Sequence, residues 1–271
     1  MPWTKLKNFI LLILVLTNLC LLGLVVSQNL QTSRQERQTR ENTIQFLTNR
    51  GVQIEEDLFP QDMELQPMIA QRDLEGEQTA AAALLRGEVE AEPRGGEVYR
   101  YYNENGSVQF HGDGTLSVYL EPGIYPVGED GGADCAAVLA LLGFQGELLK
   151  ETGEGFVFQQ LWEGVPLFNQ QVTVVCTQGS VSGISGGLRL MGQVQPDQSR
   201  ENISVATAMV RLMNGISSLG DVCNRIDGIR QGYVCSASLS GSVTMTPVWQ
   251  VTTDTGSYQL DTVTGAVKRA E

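Results

Sequence analysis

The sequence predicts an α+β protein: one N-terminal transmembrane helix, a helical stalk, and an extracytoplasmic domain of antiparallel sheets with packed helices, arranged as two similar α+β units. Three observations predict it. An uncharged apolar run extends from Phe9 to Val26. A polar, helix-forming stretch follows it from Gln28 to Asn49. Beyond Pro93-Arg94-Gly95-Gly96, helical and alternating patterns succeed one another as helix, strands, helix, strands.

The apolar run is long enough to cross a bilayer, which takes about 17–25 helical residues. Lys5 and Lys7 precede it, so the N-terminus is read as cytoplasmic and Gln28 onward as outside. The expected location is the cell membrane, as a single-pass protein. A cleaved signal peptide is the alternative, with an apolar region of about 7–15 residues and a small-x-small cleavage site. This run is longer, and Leu24-Val25-Val26-Ser27-Gln28 is a poor cleavage site, so retention is expected; Val25 and Ser27 at the two key positions keep cleavage as the alternative. Asn18, beside Thr17, is an amide that seeks a partner in hydrocarbon, and Cys20 and Gly23 are small enough for close approach. Thr17, Asn18, Cys20 and Gly23 are therefore the candidate interface to another membrane helix. Such bonds contribute about 0.6–2 kcal/mol each. The alternative is that Asn18 bonds back to its own helix or faces a locally thinned bilayer.

Residues 1–27 form the stub and span, 28–96 the stalk and linker, and 97–271 the outer domain. In the stalk, Gly51 ends the first helix, and Val52 to Pro67 is irregular and acidic. Glu75 to Glu90 reads as a second helix, closed by Gly87 and the Pro93–Gly96 cluster. The outer domain opens with a hairpin, Val98 to Phe110, turning at Asn105-Gly106. Leu116, Val118 and Leu120 alternate as a half-buried strand. Asp134 to Phe144 is a short helix with Asp134 as its cap. Strands follow at Phe156–Trp162, Val165–Phe168, Val172–Cys176 and Val181–Leu190, with Glu163-Gly164 as a turn. Asn202 to Ser217 is an amphipathic helix with Val205, Met209, Leu212 and Ile216 on one stripe. Strands at Gly232–Cys235, Val243–Thr246, Pro247–Val251, Ser257–Asp261 and Thr264–Val267 close the pattern.

The formal charge is -13 over 271 residues, and without the first 27, which hold Lys5 and Lys7, it is -15. So acidic a surface argues against nucleic acid and anionic lipid as partners. Of five cysteines, Cys135, Cys176, Cys223 and Cys235 lie beyond the span. Four cysteines allow three connectivities, and sequence does not choose among them. The pair to test first is Cys223 with Cys235, against the alternative of buried free thiols.

No cofactor or metal is expected: there is no C-x-x-C pair, and His111 is the only histidine. Nor is enzymatic activity expected, because a nucleophile needs a base within reach and His111 sits in a Gly-rich turn. Glu129 with Asp130 and Asp221 with Asp227 are acidic pairs, read as solvated loops. The serine among glycines at Gly183–Gly187 is set aside as a nucleophile elbow.

Three places carry a resemblance. They are Trp3-Thr4-Lys5-Leu6-Lys7 with a span containing Thr17-Asn18-Leu19; Phe158-Gln159-Gln160-Leu161-Trp162-Glu163-Gly164-Val165-Pro166-Leu167-Phe168; and Pro247-Val248-Trp249-Gln250-Val251 with Gly256, Tyr258, Asp261 and Thr264-Gly265-Ala266-Val267. The last resembles PepSY-like modules, in which a Pro-x-Trp strand pairs with a strand ending in a Thr-Gly-x-Val turn. Together the three are similar to YycI-type regulatory proteins, relatives of YycH. The resemblance implies a membrane-anchored, non-enzymatic accessory regulator of the WalK sensor histidine kinase of Gram-positive bacteria, a kinase that controls cell-wall metabolism. It implies that kinase and a YycH-like protein as partners, contacted partly through membrane helices. A wall- or peptide-binding module, or a PepSY-type inhibitor without a kinase, is the alternative.

Overall fold

The computed structural model describes residues 14, 17, 18, 22, 38–60, 63–237 and 242–270, with the side chain of Glu56 left aside. The chain divides into two compact units, Met1–Glu55 and Glu56–Glu271.

In the first unit, residues 38–49 form helix α1, followed by strand β1 (Gln53–Ile54). Gly51 at φ +80° closes the helix, its amide donating to the Thr48 carbonyl at 2.9 Å. A glycine in that conformation is the common helix stop. Of the run Phe9–Val26, only Leu14, Thr17, Asn18 and Leu22 are among the described residues, and all four are helical. Among the described residues, no helix is long and apolar enough to cross a membrane. This overturns the expected transmembrane helix and single-pass membrane location. The remaining helices have 11, 11 and 14 residues, and at about 1.5 Å per residue each falls short of a hydrocarbon core about 30 Å thick.

The second unit corrects the fold class further. Instead of two separate α+β units on a helical stalk, it is mostly one large mixed sheet. The segment expected as stalk carries β2 (Met68–Arg72) and β3 (Glu90–Gly95), with only helix α2 (Leu74–Leu84) between them. Asp73 caps α2, accepting from the Gly76 amide at 2.9 Å. The helix stops before Glu90 because Asn103 and Asn105 donate their side-chain amides to the Leu85 carbonyl at 3.1 and 2.8 Å, meeting a carbonyl at the helix end. A 3-10 turn at Glu56–Leu58 precedes β2.

From β3 the chain meanders through β4 (Val98–Asn103), β5 (Gly106–Phe110) and β6 (Thr115–Leu120). The expected Asn105-Gly106 turn falls one residue earlier: Asn103 pairs with Gly106, leaving Glu104 and Asn105 as the loop. Helix α3 (Gly131–Leu141) follows, capped by Asp130 rather than Asp134. Next come β7 (Gly146–Thr152), β8 (Gly155–Trp162), β9 (Val165–Thr177), β10 (Ser180–Gly187) and β11 (Met191–Pro196). Glu163 and Gly164 join β8 to β9 with φ of +50° and +82°, the paired positive angles of a type I′ hairpin turn.

Helix α4 (Val205–Ser218) starts at Ser204, whose hydroxyl accepts from the Thr207 amide at 3.3 Å. It buries Ala208, Met209, Leu212, Met213 and Ile216. It packs against β14 (Gly256–Asp261) and β15 (Val267–Arg269), which follow β12 (Arg225–Ala237) and β13 (Ser242–Thr253).

The sheet runs β11-β2-β13-β12-β9-β10-β6-β5-β4-β3, with β14 and β15 continuing from β13, and β7 and β8 from β9. Its two halves are antiparallel within themselves. They join where β9 meets β12 in parallel, with Leu167 opposite Tyr233. That junction has its own core of Ala70, Leu167, Tyr233, Cys235, Val243 and Met245, all buried. A larger core lies under α2 and α3 and includes Leu84, Leu139, Phe144, Phe158 and Val174. The junction core gives the two halves apolar surface to share, so they do not separate into units.

Candidate functional site: a basic, amide-lined cleft

Strands alternate their side chains between two faces, so residues in register across a sheet form a row on one face. Here Arg230 on β12 pairs with Gln250 on β13, Gln250 with Gln259 on β14, and Gln259 with Lys268 on β15. On the other side of the junction, Glu147 on β7 pairs with Gln159 on β8, and Gln159 with Gln171 on β9. Arg230 links the two rows: its Nη2 lies 2.5 Å from Glu147 Oε1. Between them opens a cavity of about 720 Å³, lined by the residues of both rows except Glu147, together with Lys150, Asn169 and Arg269.

The cleft is cationic in a chain of charge -13. Arg230 is paired with Glu147, and Arg269 with Asp221 at 2.8 Å. Among the described residues, Lys150 and Lys268 have no ion-pair partner, so the lining carries unneutralised positive charge. The Tyr258 hydroxyl, and then Arg269, bonds to the Asp221 carboxyl and holds it below its ordinary value of 3.8. Asp221 thereby fixes Arg269 at the rim.

The floor is rigid. Gln159 is buried and donates to the carbonyls of Leu167 and of Gln170, the latter at 2.9 Å, while accepting from Gln171 at 3.2 Å. Gln160 donates to the Arg189 carbonyl at 2.7 Å and accepts from the Arg189 amide at 3.0 Å. The two glutamines of the Phe-Gln-Gln-Leu-Trp motif are thus architectural: buried amides that occupy backbone groups of neighbouring segments. Carboxamides and two free ammonium groups suit a carboxylate-bearing chain, offering donors to carboxylates and both donors and acceptors to peptide groups.

The residues singled out from sequence lie elsewhere. Thr17 and Asn18 are helical and exposed, and Asn18 Nδ2 donates to the Leu14 carbonyl of its own helix at 2.8 Å. Cys20 and Gly23 lie outside the described residues. Cys223 and Cys235 are both free, buried thiols, Cys223 two residues before β12 and Cys235 near its far end. Ten residues of strand at about 3.3 Å each separate them by about 30 Å, against the 7 Å that limits a bridge between Cα atoms. The thiols that the fold brings together are Cys135 and Cys176, their sulfurs 3.6 Å apart.

His111 Nε2 meets Gln109 Nε2 at 3.0 Å. Asp130 caps α3, Asp221 pairs with Arg269 and Asp227 with Arg225, so these three acidic residues have structural partners. Ser185 stands within β10 opposite Ser117 and Thr173, not at a strand-to-helix turn. Among the described residues, no group of three or more His, Cys, Asp or Glu is placed to hold a metal. The cleft row had one sequence signal, and only in β13 and β14: a polar residue flanked by apolar ones, Trp249-Gln250-Val251 and Tyr258-Gln259-Leu260.

No family model and no curated protein matches the sequence. Among solved structures, an uncharacterized protein from Eubacterium rectale is similar over 76% of this chain and 81% of its own, at 10% identity and a TM-score of 0.43. The C-terminal domain of YpeB from Bacillus megaterium is similar over 74% of this chain and 99% of its own, at 12% identity and a TM-score of 0.37. A YycI-specific identity is not shown. In the stretch whose sequence resembles PepSY-like modules, the strand with Pro247–Trp249 pairs with β14, which leads into Thr264-Gly265.

Proposed function

We propose that the protein is a non-enzymatic regulatory module that works by binding a protein partner, and that the basic cleft receives an acidic, extended segment of that partner. The observation that carries this reading is the register-aligned row Arg230, Gln250, Gln259 and Lys268, cationic and amide-bearing on a surface otherwise dominated by carboxylates. Opposite charge speeds encounter and selects partners more than it adds affinity. The YycI-type resemblance supplies the first partners to test, a sensor histidine kinase and a YycH-like protein.

The test is titration of the full chain with a fluorescent glutamate-rich peptide and with a lysine-rich peptide of equal length. The glutamate-rich peptide should bind, and binding should weaken as salt rises, because exposed charge pairs are screened within about 10 Å at 0.1 M salt. Lys150→Glu with Lys268→Glu should abolish it. Equal binding of both peptides, or none of the acidic one, overturns the reading.

A further inference from the structure

The four cysteines beyond the apolar run differ sharply in their surroundings. Cys235 is buried in the junction core, and Cys223 is buried near the start of β12. Cys135 and Cys176 come from α3 and β9, 41 residues apart in sequence, and their sulfurs are in contact at 3.6 Å. Cys135 is fully buried, whereas Cys176 is partly open to solvent. A disulfide is about 2.05 Å long, so an approach of about 1.5 Å forms one. Side-chain rotation about the Cα–Cβ bonds supplies motion of that size without unfolding either element.

We propose that Cys135 and Cys176 are a redox-active pair, which exchange with a low-molecular-weight disulfide converts to an intramolecular bond. The partly open Cys176 gives its proton to solvent, and its thiolate attacks one sulfur of the external disulfide. That S–S bond breaks and one external thiolate leaves. Cys135 then loses its proton and attacks the Cys176 sulfur, and the second external thiolate leaves. The pair is oxidised by two electrons and the external disulfide is reduced to two thiols. Burial, and after it the bond to Cys176, pushes the Cys135 thiol up to about 12. Cys135 is therefore the resolving thiol and Cys176 the entry point. The bond ties α3 to the end of β9, the helix and strand that enclose the larger core.

The test treats the full chain with oxidised glutathione, blocks remaining thiols with N-ethylmaleimide and maps peptides by mass spectrometry. The wild type should yield a Cys135–Cys176 linked peptide, reversed by dithiothreitol, and a melting temperature several degrees above the reduced protein. Cys135→Ser should instead hold glutathione on Cys176, because no resolving thiol remains. Should that variant not fold, Cys176→Ser serves, and its Cys135 should stay unmodified. The double variant Cys223→Ser with Cys235→Ser should keep the link. A wild-type chain that retains glutathione on Cys176, links a different pair, or keeps both thiols free overturns the proposal.

Discussion

Asn169 holds the backbone of Cys235 by two hydrogen bonds, its Nδ2 donating to the carbonyl at 2.7 Å and its Oδ1 accepting from the amide at 2.9 Å. A carboxamide presents the same donor and acceptor as a peptide edge. The parallel ladder between β9 and β12 consists of Leu167 opposite Tyr233, and the side chain of Asn169 extends it by two residues. The two halves of the sheet are thus stitched partly by backbone and partly by a side chain that also lines the cleft.

Asn169→Ala leaves the Cys235 amide and carbonyl unmatched at a buried position, and should cost about 1–3 kcal/mol. Asn169→Asp keeps the acceptor but sets a carboxylate against the Cys235 carbonyl, and should cost at least as much. Urea unfolding of both variants measures this; a change below about 0.5 kcal/mol in each would show that the stitch contributes nothing.

Gly232 stands at the same junction. A Cβ there would lie 2.6 Å from the Pro166 carbonyl oxygen and 2.5 Å from the Phe168 ring. The ring can shift but the carbonyl belongs to β9 itself. Gly232→Ala should therefore part the strands and cost about 1–3 kcal/mol, with acidic-peptide binding weakened as the cleft floor moves. Unchanged unfolding and unchanged peptide titration together would contradict the close approach.

The Arg230–Glu147 pair is 49% and 38% exposed, so its stability contribution should stay within about 1 kcal/mol. Its effect on binding is larger in consequence. Glu147→Gln removes a carboxylate from the cleft edge and frees Arg230. Acidic-peptide affinity should rise about two- to fivefold, the effect of one unit charge at several ångström in a solvent-rich dielectric. A fall in affinity, read by fluorescence anisotropy, would place the peptide elsewhere.

Asp221 and Asp254 set part of the acid response. Side-chain bonds from Tyr258 and Arg269 lower Asp221, and side-chain and backbone bonds from Asn224 lower Asp254, each from an ordinary 3.8. A carboxyl whose folded value is depressed contributes stability above its unfolded value and loses it as pH falls through the folded one. Melting temperature should hold down to about pH 4 and then drop. Asp221→Asn with Asp254→Asn should lower the melting temperature near neutrality and flatten that drop. An acid limb equally steep in the double variant would remove these carboxyls as its cause.

Several local features are legible in the chain. Glu163-Gly164 is a turn because glycine accepts positive φ, and Gly51 stops α1 for the same reason. The stripe of Met209, Leu212 and Ile216 is buried because its spacing follows the helix. The sequence offers two caps for α3, Asp130 and Asp134, both within one turn of the start; Asp130 accepts from the Ala133 amide, while Asp134 accepts from Gly128 in the preceding loop. Cys223 and Cys235 are near in sequence, but the extended strand that runs from Arg225 to Cys235 carries them far apart.

By itself the sequence determined where the chain turns, which stretches alternate, and that the surface is acidic, because these follow from each residue's own conformational preference and charge. Tertiary structure alone decided that β9 and β12 join two halves into one sheet, that Gln250, Gln259 and Lys268 line up with Arg230, and that Cys135 meets Cys176. Those facts depend on which strands share hydrogen bonds and in what register. A backbone amide pairs alike with any strand, so the choice falls to the packing of side chains far apart in the chain.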